Sequence, residues 1–354
     1  MKQIFLVGAL GASLLLAGCS KPAANTNKPA ANTNASYKGC VATNAGVGDT
    51  IVFDLSPFNR RINILITPLP AITEAVTIDG AIANGERVEL HGGGAPAVSG
   101  RHGITVNKTG YGTIIRNLVI NNFADDGIYI DADEVWVFGC RIGTDVTGTM
   151  AMPNQGFGIQ VFGGNGNRIG SGTRTGSACD GDCNLISGAT NFKANVLLDL
   201  DSLNALVRGN FIGTDITGTV GITPQDVRGI IDKGSGNRIG GTVGTTPGGS
   251  CSGDCNLISG NNINGGVVLD QAAQNPLVQG NYIGTDVTGT ASISNGIAAG
   301  YSEGILSYAS YATIGGTTPA ARNVVSGNVG TGIQVQGIGT VVRGNYIGTD
   351  PTGT

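Results

Sequence analysis

The sequence predicts an all-β fold: a parallel β-helix, or solenoid, of about 8–11 coils, with two coils in each super-repeat of roughly 70 residues. Three observations carry that prediction. One phrase occurs four times, as CRIGTDVTGT from Cys140, NFIGTDITGT from Asn210, NYIGTDVTGT from Asn281 and NYIGTDPTGT from Asn345, at spacings of 70, 71 and 64 residues. Short Ile/Val runs that open on Asn recur in register between these copies. The composition, with 61 Gly and only 12% charged residues, suits many tight turns between short strands. Low charge with 40% hydrophobic residues excludes a disordered chain. A net charge of −4 leaves no basic footprint for nucleic acid.

Residues 1–18 read as a signal peptide. Lys2 supplies the positive start, Ile4 to Leu16 the apolar run, and Leu16-Ala17-Gly18-Cys19 the processing site. The run is shorter than the roughly 18 residues of a transmembrane helix. The segment resembles a bacterial lipoprotein signal, which implies that Cys19 becomes the lipidated N-terminus. Ser20 after it implies sorting to the outer membrane, so the expected location is the bacterial cell envelope, with membrane contact through the lipid anchor only. Residues 19–36 carry KPAANTN twice, from Lys21 and from Lys28, and have nothing apolar to bury, so they read as a flexible tether.

Residues 37–110 are expected to form an N-terminal cap and irregular first coils. Their runs are IVFDL from Ile51, INILI from Ile62, VTIDG from Val76, VELHG from Val88 and GITV from Gly103. Residues 111–354 are the regular helix. Each coil opens with a Gly-Ile-like first strand, as at Gly127 and Gly158, continues with a second strand such as NRIGG from Asn167, and closes with a third. The third strands align at Asn117, Cys140, Asn184, Asn210, Asn256, Asn281, Asn323 and Asn345, with Ile or Val two positions later. Asn tolerates a left-handed corner and can bond the Asn of the next coil in a ladder. The aliphatic residue faces inward and stacks on its copy, forming a column that no single coil could bury.

GNYIGTDxTGT, GGT…NLISGN and VGDTIVFDL…LPAITEAVTIDG together resemble the right-handed parallel β-helix repeat proteins of bacterial surfaces, over about Gly48 to Thr354. The resemblance implies that fold. It settles no activity, since the family is functionally mixed. Export places the cysteines in an oxidising compartment. Cys179 and Cys183, like Cys251 and Cys255, sit at matching places about 9.6 Å apart along the stack, beyond disulfide reach, so each pair is expected to close on itself. No His lies near either pair to suggest zinc, and Cys40 and Cys140 remain as free thiols.

Two loops flank the third strand: the Cys loop before it and GTDxTGT after it. The outward residues of that strand are Arg141, Leu185, Phe211, Leu257, Tyr282, Val324 and Tyr346, an apolar stripe with an aromatic at alternate coils. One reading is a saccharide groove with Phe211, Tyr282 and Tyr346 as ligand-binding rings. The other is a satellite core that the loops cover. The recurring Asp145, Asp215, Asp286 and Asp350 suit turn chemistry, with calcium as the alternative.

A catalytic constellation is needed only once, so the irregular coils are the place to seek it. Asp125 and Asp126, with Arg141 nearby in sequence, form the strongest cluster: adjacent acids with a basic neighbour suit a lyase or hydrolase. Asp125-Asp126 resembles the paired Asp of β-helix polygalacturonases, but that family's other motifs are absent, and Asp-Gly also marks ordinary corners. His102 is a further candidate base; it and His91 lie before the regular stack. No resident metal or cofactor is expected beyond a calcium option.

The function expected from these features is a non-catalytic module that binds polysaccharide or a cell-surface glycan in an adhesin-like way. The alternatives are a polysaccharide lyase or glycoside hydrolase of β-helix type, and a structural spacer. Thr354 falls inside the fourth GTDxTGT loop with no polar cap. That end predicts open strand edges, end-to-end self-association and a longer reading frame.

Overall fold

The structure, a computed structural model, describes residues 36–37, 48–53, 55, 60–64, 68–93, 99–174, 177–190, 193–222, 227–244, 248–263, 265–297 and 302–354. The expected signal peptide 1–18, Cys19, the expected tether apart from Ser36, and Cys40 lie outside them. Within the described residues the chain winds through three sheets of eleven, ten and eight strands, each strand pairing with its counterparts one coil away. A single turn shows the order: Ile128–Asp131 in the first-strand sheet, Trp136–Phe138 in the second, Arg141–Ile142 in the third. All pairings between these strands and their neighbours are parallel. With the right-handed crossover that parallel connections take, this is the right-handed parallel β-helix the repeats predict.

The interior is one continuous core from Ile51 to Val325. The third-strand column of Ile120, Ile142, Ile186, Ile212, Ile258, Ile283 and Val325 is fully buried. Beside it Asn184, Asn210, Asn256, Asn281, Asn323 and Asn345 form the expected ladder, each Nδ2 donating to the next Oδ1 at 2.9–3.0 Å. The alignment needs two corrections. Arg141 pairs with Val119 and Ile142 with Ile120, so Leu118, not Asn117, stands opposite Cys140. Asn117 instead takes the left-handed position (φ 57) that Gly139, Gly209, Gly280 and Gly344 hold in later coils. The ladder asparagines are therefore not the corner residues: ahead of Asn210, Asn281 and Asn345 a left-handed glycine turns the chain, and the Asn amide is freed to bond along the stack. A second ladder, Asn195 to Asn261 to Asn295 to Asn328 at 2.9–3.0 Å, follows the third strand. The recurring Ser-Gly-Asn at Asn261 and Asn328 was its signal in the sequence.

Asp232 breaks the apolar interior. Between Leu198 and Leu269 in the stack, it points inward and is fully buried. Oδ1 accepts the Gly234 N–H at 3.0 Å and Asn237 Nδ2 at 2.8 Å, while Oδ2 has no hydrogen-bond partner among the described residues. Burial pushes the carboxyl up to about 6. The folded state thus holds this proton over a range where the unfolded chain has released it. Stability from this group is full below the ordinary carboxylate range and lost as pH rises through about 6. Asp232→Asn is expected to remove up to about 3 kcal/mol of pH dependence between acid and neutral pH. Urea midpoints measured across that range should separate the two proteins at the neutral end. Parallel curves would refute the assignment.

Candidate functional site

Most first strands are led by a glycine, with Asn195 in that place in one coil, and the residue before that glycine starts the coil. His102 and Asp126 hold this place in successive coils, ahead of Gly103 and Gly127. In these coils only glycine fits second: a Cβ on Gly127 would stand 2.6 Å from the Gly158 carbonyl oxygen. Stacking the coils brings His102 Nδ1 to 3.1 Å from Asp126 Oδ2 and 3.7 Å from Asp125 Oδ2. The Phe157 N–H donates to Asp126 Oδ1 at 2.7 Å, and the Gly100 N–H donates to Asp125 Oδ2 at 2.7 Å. Burial raises the Asp126 carboxyl above the usual carboxylate range, and the Asp125 charge adds to this, against the bonds from His102 and Phe157.

Side chains alternate, so the outward positions of the same strands continue the site. The Tyr129 ring stacks on His102 with centroids 4.7 Å apart, and Phe162 stacks on Tyr129 at 5.5 Å. Phe162 is the extra residue of a β-bulge between Val161 and Gly163, which turns its ring outward to 41% exposure. Gln160 Nε2 donates to Asp199 Oδ2 at 3.2 Å, and Lys233 Nζ to Asp199 Oδ1 at 3.3 Å. Burial, then the charges of Asp131, Asp126 and Asp199, push the Tyr129 phenol up to about 12. The first-strand face near the N-terminal end thus combines an aromatic stack, an imidazole–carboxylate pair and further carboxylates.

His102, Asp125 and Asp126 also each offer a ligand atom within 4.8 Å of the others. Calcium fits the trio poorly, because it takes six to eight oxygens and Asp126 Oδ1 already accepts a backbone N–H.

Of the residues singled out in the sequence, Asp125, Asp126 and His102 are brought together. Arg141 is not. It lies on the third-strand sheet in the column of Val119 and Leu185, and its guanidinium donates to the Val146 carbonyl. Burial, reinforced by the Arg87 charge, lowers its pKa to about 10. Sequence proximity misled here because Asp126 and Arg141 belong to different sheets. Tyr129, Gln160, Phe162, Asp199 and Lys233 were missed. Their signal was the outward register of the Gly-Ile strands, legible once those strands are placed as the first of each coil.

The third-strand stripe is not a groove. Phe211 is fully buried, Tyr282 is 4% exposed, and both belong with Leu185, Leu257 and the disulfides to a separate core that Tyr346 packs against. The second Gly of each GTDxTGT loop closes the cover. A Cβ on Gly218 would stand 2.7 Å from Phe211, and one on Gly289 or Gly353 would stand 2.9 Å from Tyr282 or Tyr346. The Arg174 and Arg322 guanidiniums cap Phe211 and Tyr346 at 4.6 and 4.9 Å. Tyr282 donates its hydroxyl to the Gly249 carbonyl at 2.6 Å.

The disulfides Cys179–Cys183 and Cys251–Cys255 form as expected, and Cys140 is a free thiol. Burial pushes that thiol up to about 12, so it is a packing residue rather than a nucleophile. The loop carboxylates serve their own turns. Asp215 accepts the Thr217 hydroxyl and the Thr219 and Val220 N–H groups, and Asp286 repeats the pattern. At Asp350 the Thr352 hydroxyl, helped by loop N–H donors, holds the carboxyl down to about 2.

The chain matches no protein-family model and no curated protein by sequence. Among solved structures it is similar to the A-module of Azotobacter vinelandii mannuronan C-5 epimerase AlgE4, at 15% identity over 88% of this chain and 75% of that one, with a TM-score of 0.40. It is also similar to pectate lyase Pel9A, at 11% identity over 85% and 72% of the two chains, with a TM-score of 0.36. For Geobacillus virus E2 ORF18 the identity is 12% over 86% and 54%, and the TM-score is 0.34. Likeness at this level does not bear on substrate or site.

Proposed function

We propose that this chain is a lipid-anchored protein of the bacterial envelope that holds polysaccharide on its first-strand face. The observation that supports this is the His102–Tyr129–Phe162 stack, whose outer ring, Phe162, is exposed beside polar groups. Sugar rings present apolar C–H faces to such rings while their hydroxyls bond the flanking side chains. The stack runs along the helix axis, so a polymer can lie across several coils. Affinity electrophoresis through gels containing neutral or charged polysaccharides tests the reading. Phe162→Ala should cost about tenfold in retention, roughly one stacking contact. Unchanged retention, or none by the parent protein, would remove this face as the binding site and leave a structural spacer.

A second reading, catalysis on the bound glycan, is favoured by the His102–Asp126 pair. Asp126 faces Nδ1, which leaves Nε2 to exchange a proton with substrate. In that case new reducing ends or unsaturated uronate absorbance should form with the parent protein and disappear in His102→Ala.

A further inference from the structure

The charges around the platform narrow the kind of polymer it would take. Asp131 and Asp201 come from coils on either side of Gly163, the residue after Phe162, and pair with it in register. A Cβ on Gly163 would stand 3.1 Å from Asp131 Oδ1 and 3.4 Å from Asp201 Cβ, so the missing side chain lets both acids pack over one backbone position. Neither carboxylate has a hydrogen bond or ion pair with a described residue. One coil beyond Asp199, the nearby cation Lys233 is already paired with that residue at 3.3 Å. Two uncompensated carboxylates beside an exposed ring repel a polyuronate and attract a cation.

We propose that the first-strand face is selective for an amino-sugar polymer, with Phe162 carrying a sugar ring and Asp131 and Asp201 receiving an ammonium group. This rests on the polysaccharide-binding reading and adds the charge of the ligand to it. An ammonium supplies the donors these carboxylates lack, and its stem lies on the sugar that the ring holds, so one monomer meets both features.

Calorimetry on the full chain at about pH 6 compares three probes: a glucosamine hexamer, its N-acetylated counterpart and oligogalacturonate with and without calcium. The glucosamine hexamer should bind about tenfold tighter than the N-acetylated one, with a preference that shrinks as salt rises. In Asp131→Asn/Asp201→Asn the ratio of the two affinities should fall towards one, whereas Glu74→Gln, an exposed acid elsewhere, should keep it. Equal binding of the two hexamers, or tighter binding of oligogalacturonate in either condition, overturns the selectivity but leaves the binding reading standing. If no probe binds, both fail together.

Discussion

Phe211→Ala is expected to lower the unfolding free energy by about 3–5 kcal/mol while leaving polysaccharide retention unchanged. The ring is fully buried between Leu185 and Leu257, which pair with Phe211 in the adjoining coils. Its edge meets the Gly218 turn, and the Arg174 guanidinium lies 4.6 Å from its centroid. Truncation leaves a void that these neighbours cannot fill, because the disulfide loop on one side and the GTDxTGT turn on the other are both fixed. Arg174 is itself only 3% exposed, and it would lose the ring that covers it. Urea denaturation reads the stability, and gel retention reads the binding. A variant of native stability that no longer retained glycan would restore the groove reading for this stripe.

Asn256→Ala should be comparably costly, at about 3–5 kcal/mol, for a different reason. Asn256 is fully buried, and its amide has no spare capacity. Nδ2 donates to the Val207 carbonyl at 2.8 Å and to Asn281 Oδ1 at 2.9 Å, while Oδ1 accepts Asn210 Nδ2 at 3.0 Å and the Asn210 N–H at 3.1 Å. Alanine deletes the group between them and strands buried partners on both sides, each costing about 1–3 kcal/mol. Asn345, at the end of the ladder, is only half-buried and accepts from Asn323 without donating to a further rung. Asn345→Ala should therefore cost about 1 kcal/mol. The contrast between the two variants, measured by urea midpoint, tests whether the ladder or the individual residue matters. Equal losses would argue against the ladder.

The fold was legible because stacking writes itself into the sequence. Most coils repeat the inward Ile or Val and the Asn of the coil before, so spacing alone placed both. Where the reading slipped, it slipped by one residue, at Asn117. An Asn can fill either the left-handed corner or the ladder rung, and only backbone conformation separates the two uses. The stripe on the third strand failed for another reason. Alternation shows that Phe211 and Tyr282 point outward, but whether a loop lies on top of them depends on how GTDxTGT folds back.

The site shows the division most clearly. Asp125-Asp126 could be picked out as unusual acids in an irregular coil, and His102 as one of two histidines. Nothing in their order says that His102 and Asp126, 24 residues apart, become neighbours. That separation is one turn of the helix, and the number of residues in a turn varies with loop length, so only the closed coil fixes which side chains share a level. By itself the sequence determined the period, the β-helix and the two disulfides, because each follows from local spacing or from a residue required at every coil. Tertiary structure alone decided that the third-strand aromatics are core and that the first-strand face gathers His102, Asp126, Tyr129 and Phe162. Those outcomes depend on contacts between coils and on loop closure, and neither leaves a periodic mark in the chain.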